Sequence, residues 1–355
     1  MFLSDLRQRV NLSFELLDSV IAKSKGFICP HALMHFHLQS STGPSTTPCN
    51  QPSCPAVHKL RYMSETFQSY VLFNEFPRID ASALREYLAA MEPGGTPCEV
   101  SDFNMRATEQ GSISSGVISC GELNLAVQVH GHPLPDEIFR STAEIAALPE
   151  DYRDKLRNHR VYASLTCLGS DEYHPIESVI LLLKTGMALV AQGGIAVAND
   201  NNYTCFPAEV MEAYADQAIE DASAEKDAEA GDIDEPPASL WESLRDEGMP
   251  GELLVGFLPA EVDGQIWFLS AGHTLYNLPE LAYRAEDFSE IEDVDEHFKT
   301  IFYYLFENGP VIHAGQSLGY DDSLAFHFSE LPPEHKNLEA PHGTLLVTIE
   351  SSADE

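Results

Sequence analysis

Positive charge is what this chain has least of: 20 Lys and Arg stand against 56 Asp and Glu, a formal net charge of −36. Phosphate backbones and anionic lipid surfaces repel such a chain, which argues against sequence-independent nucleic-acid binding. The stretch that gathers most cations, Arg153, Lys155, Arg157 and Arg160, is interleaved with Asp151 and Asp154 and makes no basic patch. Long apolar runs are missing too. The run Val179 to Leu183 is broken by Lys184, and nothing else is long enough to span a bilayer. The opening MFLSDLRQRV has no apolar signal core. Cysteine is sparse, and its seven residues (Cys29, Cys49, Cys54, Cys98, Cys120, Cys167 and Cys205) are too scattered for a disulfide scaffold. A reducing cytoplasm fits these features. Neither G-x-x-x-x-G-K-[ST] nor G-x-G-x-x-G occurs, so no phosphate cradle is expected.

What is present is a globular composition. Hydrophobic residues make up 44% of 355 residues, enough for a real core in one large domain or two joined ones. The acidity itself has two readings: solubility, in a salty habitat for instance, or a surface that captures a basic partner protein.

Periodicity sets the expected order of elements. Leu3, Leu6, Val10, Phe14, Leu17 and Ile21 recur at helical spacing over residues 1–25. Residues 39–56, with four prolines and the run SSTGPSTTP, read as irregular, so 1–60 is taken as an extension. YVLFNE reads as a strand and Ala81 to Met91 as a helix capped by Asp80. Residues 112–120 and 123–131 read as strands joined at Gly121, and Asp136 as the cap of a helix running to about Ala147. A strand at 161–169, an apolar helix opened by Pro175, the strand GIAVAN and a helix opened by Pro207 follow. Residues 212–237 hold ten acids and one base, which predicts a solvated helix end and a mobile insert. A hairpin turning at Asp263-Gly264, an acidic stretch over 286–296, a helix over 295–307 and a terminal hairpin region over 310–349 complete the chain. The expectation is an α+β fold: a mixed or antiparallel sheet with helices packed on one side, or two ferredoxin-like halves. The halves would be 61–215 and 241–355, around an acidic insert at 216–240.

Several stretches together resemble an uncharacterised bacterial family known only as a domain of unknown function. They are HPLPDEIF (132–139), RVYASLTCLG (160–169), the helix 175–192, LPELAYR (278–284) and NGPVIHAGQSLGYD (308–321). The likeness covers about residues 68–350. That family has no established activity, so the resemblance implies fold and extent and carries no catalytic residues.

Four constellations could carry chemistry. Cys49, Cys54 and His58, near Cys29, His31, His35 and His37, approach zinc spacing but lack a C-x-x-C knuckle. His130 and His132 share one face of a strand and would need a third ligand such as His159 or Glu172. Cys205 stands just before a helix, where a thiol can be activated; the plainer reading is a buried hydrophobe. GQSLG (315–319) matches the nucleophile-elbow pattern, with His313 and His327 as bases for Ser317. The elbow needs a helix after the serine, whereas SLAFHF alternates like a strand, so a glycine-bracketed turn is the expectation. With no motif in its required context, the sequence points to a non-catalytic cytoplasmic protein that binds a basic protein, as a toxin-immunity protein does. The rival is a hydrolytic or metal-dependent enzyme using histidines around 130–159. No cofactor is expected, zinc being the sole candidate.

Overall fold

The computed structural model describes residues 35–36, 67–91, 96–108, 111–146, 148–168, 175–228, 251–319 and 324–351. The N-terminal helix, the Pro-rich loop and most of the acidic insert lie outside them.

The described chain builds two sheets and an α+β fold. Its strands are β1 (His35–Phe36), β2 (Gln68–Phe73), β3 (Cys98–Val100), β4 (Asn104–Thr108), β5 (Gly111–Cys120), β6 (Leu123–His130), β7 (Val161–Leu168), β8 (Ala196–Asn199), β9 (Thr204–Pro207), β10 (Gly256–Val262), β11 (Gln265–Ala271), β12 (Glu280–Ala285), β13 (Ser317–Gly319), β14 (Leu324–Glu330) and β15 (Thr344–Ser351). The helices are α1 (Ala81–Ala90), α2 (Asp136–Ser141), α3 (Glu150–Arg157), α4 (Pro175–Val190), α5 (Ala208–Ala228), α6 (Gly251–Leu254) and α7 (Ile291–Asn308). The first sheet is antiparallel throughout, in the order β3-β5-β6-β7-β2-β8-β9, with β4 on β5. The second runs β1-β10-β11-β12-β15-β14-β13 and is parallel at β1–β10 and β12–β15. Three meandering strands, one helix and three more strands make up residues 256–351, which is not the β-α-β-β-α-β succession of a ferredoxin-like half.

Alternation along the strands decides what each face meets. On β6, Leu125, Val127 and Val129 are fully buried, as their spacing of two requires. On β2, Val71 and Phe73 point to one apolar cluster while Tyr70 and Leu72 point to another, with Phe139 of α2 and Leu156 of α3. The first sheet is therefore covered on both faces, where the sequence suggested helices on one side. The signal overlooked was α3, whose charged residues hide a single buried Leu156.

Helix α4 is apolar on almost every side and is accordingly buried on almost every side, packed on α1, α5 and the first sheet. Its cluster continues through α5 into α7 and the second sheet, with Phe268, Phe302 and Phe326 among its members. One apolar core thus joins the two sheets.

Capping explains the helix limits. Asp80 accepts from the amides of Ser82 and Ala83, as its position before α1 suggested. Helix α2 follows Pro135 rather than an Asp cap, and it stops at Ser141 instead of reaching Ala147. The Thr142 hydroxyl there donates back to the Ile138 carbonyl. Helix α7 starts at Ile291, earlier than 295, because Asp287 and Glu290 form a capping box on the turn before it. Part of the acidic stretch at 286–296 is helix-starting chemistry.

Candidate functional site

The residues singled out from the sequence fall into separate places. Cys29, His31, His37, Cys49, Cys54, His58 and Glu172 lie outside the described residues, and His35 enters only as backbone of β1. Among the described residues, no group of three or more His, Cys, Asp or Glu is placed to hold a metal ion.

His130 and His132 flank Tyr162. The His130 ring stacks on Tyr162 with centroids 4.5 Å apart, and the His132 ring meets the edge of Tyr162 at 5.5 Å. His130 Nε2 is 3.3 Å from Ser164 Oγ, and His132 Nδ1 lies 2.9 Å from the Pro133 carbonyl oxygen. Burial, then the neighbouring His132, hold the His130 imidazole below its ordinary value. His159 does not join them as a third ligand. Its Nδ1 donates to the Leu156 carbonyl at 2.6 Å and its Nε2 accepts from the Leu134 amide at 2.8 Å. Both nitrogens of a buried ring stacked on Phe139 are committed to backbone, so His159 clamps the end of α3 to the chain that leaves β6.

Cys205 does not have the environment of an activated thiol. It sits inside β9, and burial pushes its thiol up to about 12. A thiolate is disfavoured there, so the structure corrects the nucleophile reading in favour of a small buried hydrophobe. Two other cysteines are joined: Cys98 on β3 and Cys120 on β5 stand opposite each other in register and form a disulfide. The sequence spacing gave no hint of this pairing, which strand register alone creates.

Ser317 and His327 do come together. The segment after Ser317 is a strand, as its alternation suggested, and Gly315 takes a φ of +87° in the turn before it. Gly319 has no such backbone requirement and open space around it. The Phe328 amide donates to Gln316 O, so Ser317 and His327 form the next pair along the ladder, the close pair without mutual backbone bonds. Their side chains share one face, with Ser317 Oγ 2.7 Å from His327 Nδ1. On the far side, His327 Nε2 is 2.6 Å from Glu350 Oε2 of β15. Glu350 lies two residues beyond Thr348, the register partner of His327, so it reaches the ring diagonally. In a neutral ring, Nε2–H directed at the carboxylate leaves Nδ1 free to accept from the serine hydroxyl. The His327 and Glu350 side chains are 43% and 72% exposed, so the chain of bonds is open to solvent.

His313 is not the base. Its backbone closes the turn, its amide donating to Gln316 Oε1 and its carbonyl accepting from the Gln316 amide. Sequence reasoning missed Glu350, which looks like one more acid in a C-terminal run of acids. The available signal was the alternation of TLLVTIES paired with that of LAFHFSE.

No family model, no curated protein and no solved structure matches this chain. No helix among the described residues is long and apolar enough to cross a membrane.

Proposed function

We propose that this chain is a cytoplasmic interaction protein that captures a basic protein partner through its acidic surface. The observation that carries this reading is helix α5. Its inner side, with Met211, Ala215 and Ala218, is buried in the shared core. Its outer side exposes Glu209, Glu212 and Asp216 at helical spacing. The helix continues to Ala228 through Glu220, Asp221, Glu225 and Asp227, with Lys226 as its one base. A partner meets Glu209, Glu212 and Asp216 on a stretch of helix anchored in the core.

The cation-rich stretch supports the same reading. Arg157 is held by Glu144, Glu150 and Asp154 at once, Arg153 pairs with Glu150, and Lys155 lies over the Tyr152 ring. The two arginines are paired with carboxylates of the chain itself, and nucleic acid is not among the expected partners. Opposite charge on a partner speeds encounter and filters out anionic competitors.

Affinity capture from native lysate tests this, comparing the parent with Glu209→Gln/Glu212→Gln/Asp216→Asn. The parent should retain a protein of high isoelectric point that elutes with salt, and the triple variant should lose most of it. Retention that ignores both salt and the three substitutions would sink the reading. Alkylating thiols at lysis tests the compartment, because the cytoplasm keeps thiols reduced. Cys98 and Cys120 should be trapped as thiols at lysis and close into the bridge only on later oxidation, and a bridge already formed in the cell would assign an oxidising compartment.

A further inference from the structure

We propose that Ser317, His327 and Glu350 form an activated serine on the open side of the second sheet, a nucleophile towards small carboxylic esters with good leaving groups. The proposal is independent of the binding reading. It rests on the two consecutive hydrogen bonds, 2.7 Å from Ser317 Oγ to His327 Nδ1 and 2.6 Å from His327 Nε2 to Glu350 Oε2. A nucleophile, a base in contact with its proton and a carboxylate orienting the base are the three parts that acyl transfer to serine requires.

The steps balance. Ser317 Oγ adds to the ester carbonyl carbon as its proton passes to His327 Nδ1, and the carbonyl π electrons move onto oxygen. Glu350 faces the imidazolium that results. Collapse of the tetrahedral species breaks the bond to the alkoxide, which leaves as alcohol with the proton from Nδ1. Water then attacks acyl-Ser317 with Nδ1 again taking the proton, and the acid leaves as Ser317 regains its hydroxyl hydrogen. Ester and water become acid and alcohol, with no further reactant.

Geometry sets the substrate class. The Gly315 amide is spent on the Phe328 carbonyl and the Gln316 amide on the His313 carbonyl, so neither serves an oxyanion. Among the described residues Ser317 lies on the terminal strand of its sheet, in a pair without mutual backbone bonds, so its own amide points to that edge. One donor beside the nucleophile replaces the usual two, and each such donor is worth about 10²–10³ in rate. Amides, with poor leaving groups, are therefore excluded, and esters of acidic alcohols remain. The exposure of His327 and Glu350 admits a small ester and gives it little to grip, which predicts weak substrate affinity.

The full chain is incubated with p-nitrophenyl acetate and, separately, with a fluorophosphonate, and the adducts are mapped by peptide mass spectrometry. The expected result is one acetyl or phosphonyl group on Ser317 of the folded protein, absent after unfolding and absent in Ser317→Ala. His327→Gln should slow Ser317 acylation by about 10²-fold or more, the lower range of general-base catalysis. Glu350 acts through His327 as a positioning residue. Glu350→Gln should lower the acylation rate and alter its pH profile while circular dichroism stays unchanged, and Glu350→Asp should recover part of the rate. An unmodified Ser317 in folded protein overturns the proposal. So does acylation of Ser317 at the parent rate in His327→Gln.

Discussion

Replacing Gly256 by alanine tests how the two sheets are fastened. A Cβ built on Gly256 would overlap the Asn202 carbonyl oxygen and lie 3.1 Å from its carbon. Even close C–H···O contacts keep carbon and oxygen about 3.3 Å apart, so β10 and the Asn202 turn must separate. The atom in the way is backbone and cannot rotate aside. Separation also stretches a buried bond, because Asn202 is fully buried and its side-chain amide donates to the Leu254 carbonyl at 3.3 Å. Overpacking alone costs about 1–3 kcal/mol, and a buried partner left unsatisfied adds about 1–3 kcal/mol. We expect Gly256→Ala to lose about 3 kcal/mol of stability, within the range these two costs span. Urea unfolding reads it twice, through the fluorescence of Trp267, 1% exposed on β11, and through far-UV circular dichroism of both sheets. Both midpoints should fall together, since the lesion lies at the junction. Gly319→Ala is the control: its Cβ meets nothing within 4 Å, and its stability should change by less than about 0.5 kcal/mol. A Gly256→Ala protein as stable as this control would refute the reasoning.

Three further outcomes are expected. Burial holds His159 and His273 below their ordinary value, so both stay neutral in the fold. Stability should be complete above about pH 6.5 and fall as pH drops through that value towards the lower folded pKa, by up to about 1.4 kcal/mol per unit for each histidine. Urea midpoints that stay level between pH 7.5 and 5.5 would contradict this. Cys98→Ala/Cys120→Ala removes a bridge between residues 22 apart in sequence and should cost about 3 kcal/mol by loop-closure entropy, read as a lowered midpoint in non-reducing buffer. A midpoint equal to the parent's counts against the bridge. Leu183→Ala in α4, where Leu183 is buried, should cost about 2–5 kcal/mol, and a loss under about 0.5 kcal/mol would make the helix peripheral.

Where side-chain spacing and local caps act alone, the fold was legible. The alternation of LNLAVQVH, the Asp80 cap, the proline opening α4 and the Asp263-Gly264 turn each name an element from its own residues. Helix α3 escaped because its burial rests on Leu156 amid charges. Strand β12 escaped because ELAYRA buries Glu280, which looks like a surface residue until its partners are known. That carboxylate accepts from Ser270 Oγ of β11 and from the amides of Gly272 and Thr274, donors that only strand pairing and the folded turn at 272–274 bring to it. The Cys98–Cys120 bridge has the same character, since register rather than spacing sets it.

Ser317 shows what a motif can and cannot tell. GQSLG gives a serine between glycines, and the strand that follows removes the strand-turn-helix context in which an elbow works. The inference from motif to hydrolase fails there for a sound reason. The antiparallel register supplies a different route to the same three side chains. Setting Ser317 opposite His327, and Glu350 two residues past the His327 partner on β15, aligns hydroxyl, imidazole and carboxylate across three neighbouring strands. The order along the chain is Ser, His, Glu, all within the last strands, so no distant segment of a hydrolase is needed to complete it. What the hairpin lacks is the helix N-terminus that would supply a second oxyanion donor. The activity argued for Ser317 is limited by that missing donor, because nucleophile, base and orienting carboxylate are already in contact.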